Sequence, residues 1–178
     1  MSFRSHFWCG CLLLVAMAGM WEGGQGQGQE QERELLSLNL DPNMGDLCGK
    51  AEYPVLCRSV VKGLSKPSVA LESAIRQLML QTKMARTTAK RLRKSPGMEV
   101  CSETYKDAFG NLKTCLSTLK TGDKPTLNIN LSAALTGYVT CDDAVAERGG
   151  TSPVTRTNLT LRQMATNCLY LSSLIGVR

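Results

Sequence analysis

Residues 101–145 read CSETYKDAFGNLKTCLSTLKTGDKPTLNINLSAALTGYVTCDDAV, and most of the architecture follows from them. Two segments of about 20 residues flank the turn-forming sequence TGDKP, which begins at Thr121. In both segments apolar or small residues recur every three or four positions, as on the buried face of a helix. These positions are Cys101, Tyr105, Ala108, Leu112, Cys115 and Leu119 in the first segment and Leu131, Ala134, Tyr138, Cys141 and Val145 in the second. The pattern predicts two antiparallel helices, at about 98–120 and 126–147, that pack against each other.

The same periodicity continues on both sides of these two helices. It predicts one helix over about 67–94, which Ser95-Pro96-Gly97 stops, and another over about 155–175. The inward positions are Leu71, Ile75, Leu78, Thr82, Ala85, Ala89 and Leu92 in the earlier helix and Leu161, Ala165, Cys168 and Ile175 in the later one. Four helices with short connections predict an all-α fold, an up-down-up-down four-helix bundle over residues 67–178.

Residues 42–66, ahead of the bundle, predict a short helical hairpin. Asp46 could cap its first arm, while Pro54 suits the first turn of the second arm and Gly63 its end. Cys48 and Cys57 lie on the two arms, nine residues apart. That spacing suits a disulfide that staples the hairpin.

The N-terminus has the features of a secretory leader. Residues 1–24 combine Arg4 and His6 with an apolar run over 7–20 and small residues suited to cleavage, which predicts a signal peptide and cleavage region. A signal anchor is the alternative, but the run is short for a bilayer span. Residues 25–41 are rich in Gly, Gln and Glu and predict a flexible tail. We therefore expect a secreted, extracellular protein.

Removal of this leader leaves six cysteines, namely Cys48, Cys57, Cys101, Cys115, Cys141 and Cys168. An even number in an oxidising compartment favours disulfides, although six cysteines allow many pairings. Because the two central helices turn near residue 122, Cys101 and Cys141 lie level on inward positions, which predicts a bond between them. Cys115 and Cys168 differ in level by about 14 Å, more than a disulfide spans, so we expect both to be buried free thiols.

Residues that could support catalysis or bind a metal are scarce. The only histidine, His6, lies in the predicted leader, and no C-x-x-C pair occurs in the rest of the chain. Asp142 and Asp143 are adjacent and would point about 100° apart on a helix, so they form no facing pair of carboxylates. We expect no catalytic centre, no metal site and no cofactor, and hence no enzyme.

Charge and aromatic content limit the classes of partner. The formal net charge of +6 permits binding to acidic polymers, but three Phe, four Tyr and two Trp provide few rings to stack on nucleic-acid bases. No segment after the leader reaches the roughly 20 apolar residues of a transmembrane helix. Neither nucleic acid nor a membrane is therefore an expected partner.

Two stretches carry a family resemblance: CSETYKDAFGNL, from Cys101, and LKTGDKPTLNINLSAALTGYVTCDDA, over residues 119–144. Together with cysteine spacings of nine and 40 residues, they closely resemble the plant invertase/pectin methylesterase inhibitor family over about residues 44–176. The resemblance implies a four-helix bundle preceded by a stapled hairpin. It also implies a protein of the apoplast and cell wall that forms complexes with enzymes and is not itself one.

The family has two kinds of target. Its invertase inhibitors carry a Pro-Lys-Phe motif between the second and third bundle helices, where this chain has Asp123-Lys124-Pro125-Thr126. The resemblance therefore favours inhibition of a pectin methylesterase, in a 1:1 complex that covers the substrate cleft. Inhibition of a cell-wall or vacuolar acid invertase is the alternative. A helical lipid-binding or antimicrobial protein is a second alternative, but the plant lipid-transfer pattern requires adjacent cysteines and a C-x-C that the mature chain lacks.

The resemblance implies that Glu103, Asp107 and Thr140 contact the esterase. Glu103 and Asp107 are four residues apart and share a helix face, while Thr140 adjoins Cys141. The alternative is that the two carboxylates are ordinary solvated side chains.

Two further sequence patterns, a basic stripe and a pair of glycosylation sequons, also concern the surface of the protein. Lys83, Arg86, Lys90 and Arg93, with Arg91 and Lys94 beside them, form a basic stripe. The stripe is either a solvated helix face or a contact for acidic pectin or an acidic enzyme rim. The sequons at Asn130 and Asn158 are glycosylation candidates, and the position of Asn158 near a helix start predicts that it is the more accessible.

Overall fold

The computed structural model describes residues 45–147, 149 and 152–176. It contains five helices, with no strand in this part of the chain: α1 (Pro54–Val61), α2 (Pro67–Arg91), α3 (Met98–Thr121), α4 (Lys124–Ala146) and α5 (Thr155–Ser173). Helices α2 to α5 form a bundle in which consecutive helices are neighbours, α5 closes onto α2, and α2 lies diagonal to α4. The predicted all-α, up-down-up-down bundle is confirmed. The predicted leader (1–24) and tail (25–41) lie outside the described residues.

Proline residues and local hydrogen bonds set the helix ends. Helices α1, α2 and α4 each carry a proline in the first turn, where its missing N–H costs nothing. Helix α4 begins at Lys124, earlier than predicted, because the Asp123 carboxylate caps it by accepting a hydrogen bond from the Thr126 N–H (3.1 Å). Helix α2 ends at Arg91, before the predicted Lys94, because the chain turns over residues 92–97, where the Ser95 N–H donates to the Leu92 carbonyl oxygen.

The predicted inward positions form the core. All of them are buried except Leu92, Leu119 and Ile175, which are half-buried near helix ends. Tyr105 and Tyr138 are the largest fully buried side chains, and their ring centroids lie 6.1 Å apart. Two aromatic rings therefore fill the centre of a core that is otherwise aliphatic.

The segment before α2 is stapled as predicted, but its first arm differs from the expectation. Residues 47–50 form turns, and Asp46 caps the turn by accepting from the Cys48 N–H (3.0 Å). An arm this short does not form a helix, because the first helical turn fixes several residues for a single hydrogen bond. The second arm, α1, starts at Pro54 as expected, and Gly63 follows its end with φ of 70°. The Cys48–Cys57 disulfide joins the two arms with Cα atoms 5.7 Å apart.

The prediction that Asn158 is an accessible sequon is wrong. Its side chain is fully buried, because the first turn of α5 places it three residues before the core residue Leu161. Asn158 Nδ2, the atom that a glycan would occupy, donates to the Tyr138 carbonyl oxygen at 2.6 Å. Asn130, the other sequon, is half-buried on α4 and stays a candidate.

Candidate functional site

Helices α3 and α4 approach each other unusually closely. The predicted Cys101–Cys141 disulfide joins them, with Cα atoms 4.5 Å apart. One helical turn further along α3, a Cβ atom on Gly137 would lie 3.2 Å from the Thr104 carbonyl oxygen, a tight contact that glycine avoids. The two helices are therefore held in a defined register, with Cys101 level with Cys141 and Thr104 level with Gly137.

In this register the three predicted contact residues lie on the half of the α3–α4 pair that contains the Cys101–Cys141 disulfide. Glu103 on α3 lies within about a residue of the level of Thr140 on α4, and Asp107 lies near the level of Thr136. All four residues are exposed, two on α3 and two on α4. We call Glu103, Asp107, Thr136 and Thr140 the acceptor surface.

Hydrogen-bond acceptors dominate this surface. The Thr140 hydroxyl donates to the Thr136 carbonyl oxygen and the Thr136 hydroxyl to that of Ser132, each at 3.0 Å. Since both hydroxyl protons are used within the helix, the oxygen lone pairs are left to accept from a partner. Glu103 forms an exposed ion pair with Lys106 (3.2 Å). Such a pair contributes little to folding stability, so Glu103 can give up this contact for one with a partner protein. Asp107 makes no salt bridge among the described residues.

The outer face of α4 extends the acceptor surface with small, uncharged residues. No charged residue occurs between Lys124 and Asp142, although Ser132 and Ala133 are exposed. Depletion of charge is typical of the centre of a protein interface, and short side chains let a partner approach closely. Sequence reasoning missed Thr136, Ser132 and Ala133. The signal that could have indicated them in the sequence is the absence of charged residues from the solvent-facing side of α4.

The turn between α3 and α4 is closed rather than projecting. Asp123 caps α4, and Lys124 Nζ donates to the Ile175 carbonyl oxygen at 2.6 Å. Pro125 lies within the first turn of the helix. The lysine of this turn is thus bound to the end of the bundle, and the segment has no free loop that could insert into another protein.

The two free thiols of the described residues are buried and protonated. Burial raises the pKa of the Cys115 thiol to about 12, and it raises the pKa of Cys168 and of Tyr105 as well. Cys115 and Cys168 are both buried and unpaired, as predicted. No group of three His, Cys, Asp or Glu residues in the described part of the chain could hold a metal ion. Inert thiols of this kind are structural.

One apolar cavity lies next to the stapled segment. The apolar cavity between α1, α2 and α5, lined by residues such as Leu56 and Met164, has a volume of about 10 Å³. Ligand pockets usually have volumes of roughly 300 Å³ or more. Helices of the described region are also too short or too polar to cross a bilayer. The apolar cavity is therefore too small to carry a lipid.

Comparisons with known proteins agree with this architecture. Residues 43–171 match the model of the plant invertase/pectin methylesterase inhibitor family. Over 77 residues the chain is 34% identical to a protein of Platanus orientalis provisionally named an invertase inhibitor, covering 43% of this chain and 45% of that one. Over 61 residues it is 41% identical to pectinesterase inhibitor 12 of Arabidopsis thaliana, covering 34% and 35%. The matched region thus spans less than half the length of both relatives.

A solved structure shows the same fold. The crystal structure of a mutant form of a pectin methylesterase inhibitor from Arabidopsis superposes with a TM-score of 0.68 at 20% identity, over 76% of this chain and 98% of that one. The family has enzyme inhibitors as its members, in agreement with the prediction that this chain is not an enzyme. Its family match covers most of the chain, including both disulfides and the acceptor surface. The chain belongs to the plant invertase/pectin methylesterase inhibitor family.

Proposed function

We propose that this protein is a secreted inhibitor that binds a plant pectin methylesterase in the cell wall and covers its substrate cleft in a 1:1 complex. The observation that carries the proposal is the acceptor surface, which spans two helices held together by a disulfide. The predicted leader in residues 1–24 supports secretion. Inhibition by occlusion needs no reactive group, which suits a chain whose described thiols are buried and neutral.

Rigidity supports tight binding at this surface. The Cys101–Cys141 bond and the close Thr104–Gly137 contact fix α3 against α4 before any partner arrives. A surface that is already ordered loses little conformational freedom on binding, so more of the contact energy appears as affinity. A partner that presents hydrogen-bond donors at the corresponding positions would be complementary to the acceptors on this surface.

The closed turn between α3 and α4 favours the esterase over an invertase as the target. An inhibitor that plugs an active site needs a segment free to project, and here Lys124 bonds to the Ile175 carbonyl. Relatives provisionally named invertase inhibitors keep acid invertase as the second candidate. Titration of the purified mature protein against a plant pectin methylesterase and an acid invertase tests the choice. Inhibition of the invertase alone would reject the proposal.

Removal of the two carboxylates tests the docking surface. Glu103→Gln combined with Asp107→Asn should weaken esterase inhibition by roughly 2–5 kcal/mol, because donors on the enzyme would lose charged acceptors at a desolvated interface. Thermal stability should change little, since both side chains are exposed. Inhibition constants and melting temperatures give the two readouts.

The matched control removes two carboxylates elsewhere. Glu52→Gln combined with Glu72→Gln makes the same change in charge outside α3 and α4, and Glu72, like Glu103, forms a salt bridge within its helix. This control should inhibit as the parent protein does. An equal loss in both variants would indicate a general charge effect, and full inhibition by the first variant would place the docking surface elsewhere.

A further inference from the structure

A strongly basic surface lies on the last turns of α2 and in the turn that follows. It consists of Lys83, Arg86, Lys90, Arg91, Arg93 and Lys94, which we call the basic cluster. Arg86 is half-buried and the other five side chains are exposed. No acidic residue occurs between Glu72 and Glu99. The cluster is thus a continuous positive segment at one end of the bundle.

The basic cluster accounts for the whole charge excess of the protein. The chain has 21 Lys and Arg and 15 Asp and Glu residues, for a formal net charge of +6. Six of the basic residues and none of the acidic ones lie in this segment, so the rest of the chain carries equal numbers of both. Such concentration of charge directs an acidic partner to one place on the molecule.

Internal partners do not explain these charges. The salt bridges among the described residues use Arg58, Arg76, Lys106 and Arg162, all outside the cluster. Arg86 Nε is buried without a hydrogen-bond partner. Cations in the last turn of a helix do favour its dipole, but that effect falls off within one turn. The cluster starts at Lys83, well before the end of α2 at Arg91.

The turn after α2 borders an open cavity of about 210 Å³. Residues 93–97 line it together with Glu99 and Val100 from the first turn of α3. The lining thus includes two basic residues, Arg93 and Lys94, the start of α3, and one acidic residue, Glu99. This composition suits an anionic group on a larger ligand.

We propose that the basic cluster binds a linear polyuronate, the chemical class of demethylated pectin. The helical cations Lys83, Arg86 and Lys90 share one face at rises of about 4.5 and 6 Å, so an extended chain with one carboxylate per sugar could contact them in succession. The choice of a polyuronate among polyanions rests on the proposed function, since esterase action on pectin produces such carboxylates. The acceptor surface and the basic cluster would then recognise the enzyme and its product separately.

Direct binding measurements without any esterase test this inference. A demethylated oligogalacturonate should bind the mature protein saturably in calorimetry at low salt. The fully methyl-esterified oligomer of equal length should not bind, because it carries no charge. Affinity should fall as salt is raised, since screening at 0.1 M acts over about 10 Å. Absence of binding, or equal binding of both oligomers, would overturn the inference. Tighter binding of polyglutamate of equal charge would also overturn it and would assign the cluster to an acidic protein.

Substitution locates the binding. Lys90→Gln, Arg91→Gln, Arg93→Gln and Lys94→Gln together should weaken polyuronate binding by about tenfold or more. The control, Lys62→Gln, Lys66→Gln, Lys113→Gln and Lys120→Gln, removes four exposed lysines outside the cluster and should change it by less than about twofold. Equal weakening would overturn the inference. Esterase inhibition is measured in a separate assay: inhibition without polyuronate binding rejects this inference alone, and polyuronate binding without inhibition rejects the proposed function alone.

Discussion

Asn158 connects the four bundle helices through hydrogen bonds in the core. Its Oδ1 accepts from the Tyr105 hydroxyl on α3 (2.9 Å), and its Nδ2 donates to the Tyr138 carbonyl on α4 (2.6 Å). The Tyr138 hydroxyl lies 2.6 Å from Thr82 Oγ1 on α2, and it is the donor because Thr82 donates to the Leu78 carbonyl. Buried networks of this kind favour one packing arrangement when every member has a partner.

Truncation of Asn158 should therefore be costly. Asn158→Ala leaves the buried Tyr105 hydroxyl without its acceptor and opens a cavity, so we expect the free energy of unfolding to fall by about 2–4 kcal/mol. Asn130→Ala is the matched control, because Asn130 is half-buried on α4 and its amide bonds only to the Thr126 carbonyl within the helix. The control should change stability by less than about 0.5 kcal/mol. Urea unfolding gives both values, and an equal effect of the two substitutions would contradict the structural role of Asn158.

The same residue shows what the sequence could and could not reveal. A sequon is a linear pattern that carries no information on burial, and it pointed to the wrong property of Asn158. The helical phase did hold the answer, because Asn158 lies three residues before Leu161 on the inward face. Exposed contact residues lack such a signal. Glu103, Asp107 and Thr140 were predicted as contacts only through the family resemblance, and Thr136 was added as a candidate only when its hydroxyl and exposure were known.

The turn from α2 to α3 depends on Gly97. This residue has φ of 79°, and a Cβ atom there would lie 2.7 Å from the Ala144 carbonyl oxygen on α4. The turn therefore packs directly on the end of α4. A side chain at position 97 is disfavoured both by the left-handed backbone conformation and by the contact with Ala144.

Alanine at Gly97 should strain the whole turn. Gly97→Ala should lower the free energy of unfolding by about 2 kcal/mol or more, since both the left-handed conformation and the contact with Ala144 must change. Gly110→Ala is the control within the following helix, where a Cβ atom meets nothing within 4 Å. It should raise stability by about 0.5–1 kcal/mol, as expected for alanine in a helix. Chemical denaturation of both variants checks the opposite signs, and destabilisation by both would contradict the geometry of the turn.

Helix interiors and most helix starts were predictable, whereas some helix ends were not. The periodic stripes predicted every core helix and the level of Cys101 with Cys141, because burial repeats along the chain. The ends depend on single contacts that periodicity does not report. Asp123 starts α4 early by capping Thr126, and the turn ahead of Pro96 stops α2 at Arg91. The short arm at 47–50 folds as turns for a similarly local reason.

The two disulfides lie in different parts of the molecule, one in the N-terminal segment and one in the bundle beside the proposed docking surface. The Cys48–Cys57 bond closes a loop of nine residues ahead of the bundle, and the Cys101–Cys141 bond closes a loop of 40. Only the second bond joins the helices that carry the acceptor surface. The two links should therefore differ both in their contribution to stability and in their effect on binding.

Removal of each bond separates these two contributions. In the chain-entropy account, Cys101→Ala with Cys141→Ala should lower the free energy of unfolding by about 4 kcal/mol, and Cys48→Ala with Cys57→Ala by about 2.5 kcal/mol, because the longer loop constrains the unfolded chain more. Esterase inhibition should weaken several-fold in the first variant even at temperatures where it is fully folded, since α3 and α4 must then be ordered against each other on binding. The second variant should inhibit as the parent protein does. Urea unfolding and inhibition assays on both variants provide the measurements. Unchanged inhibition by a folded variant lacking the Cys101–Cys141 bond would show that the disulfide stabilises the bundle without organising its docking surface.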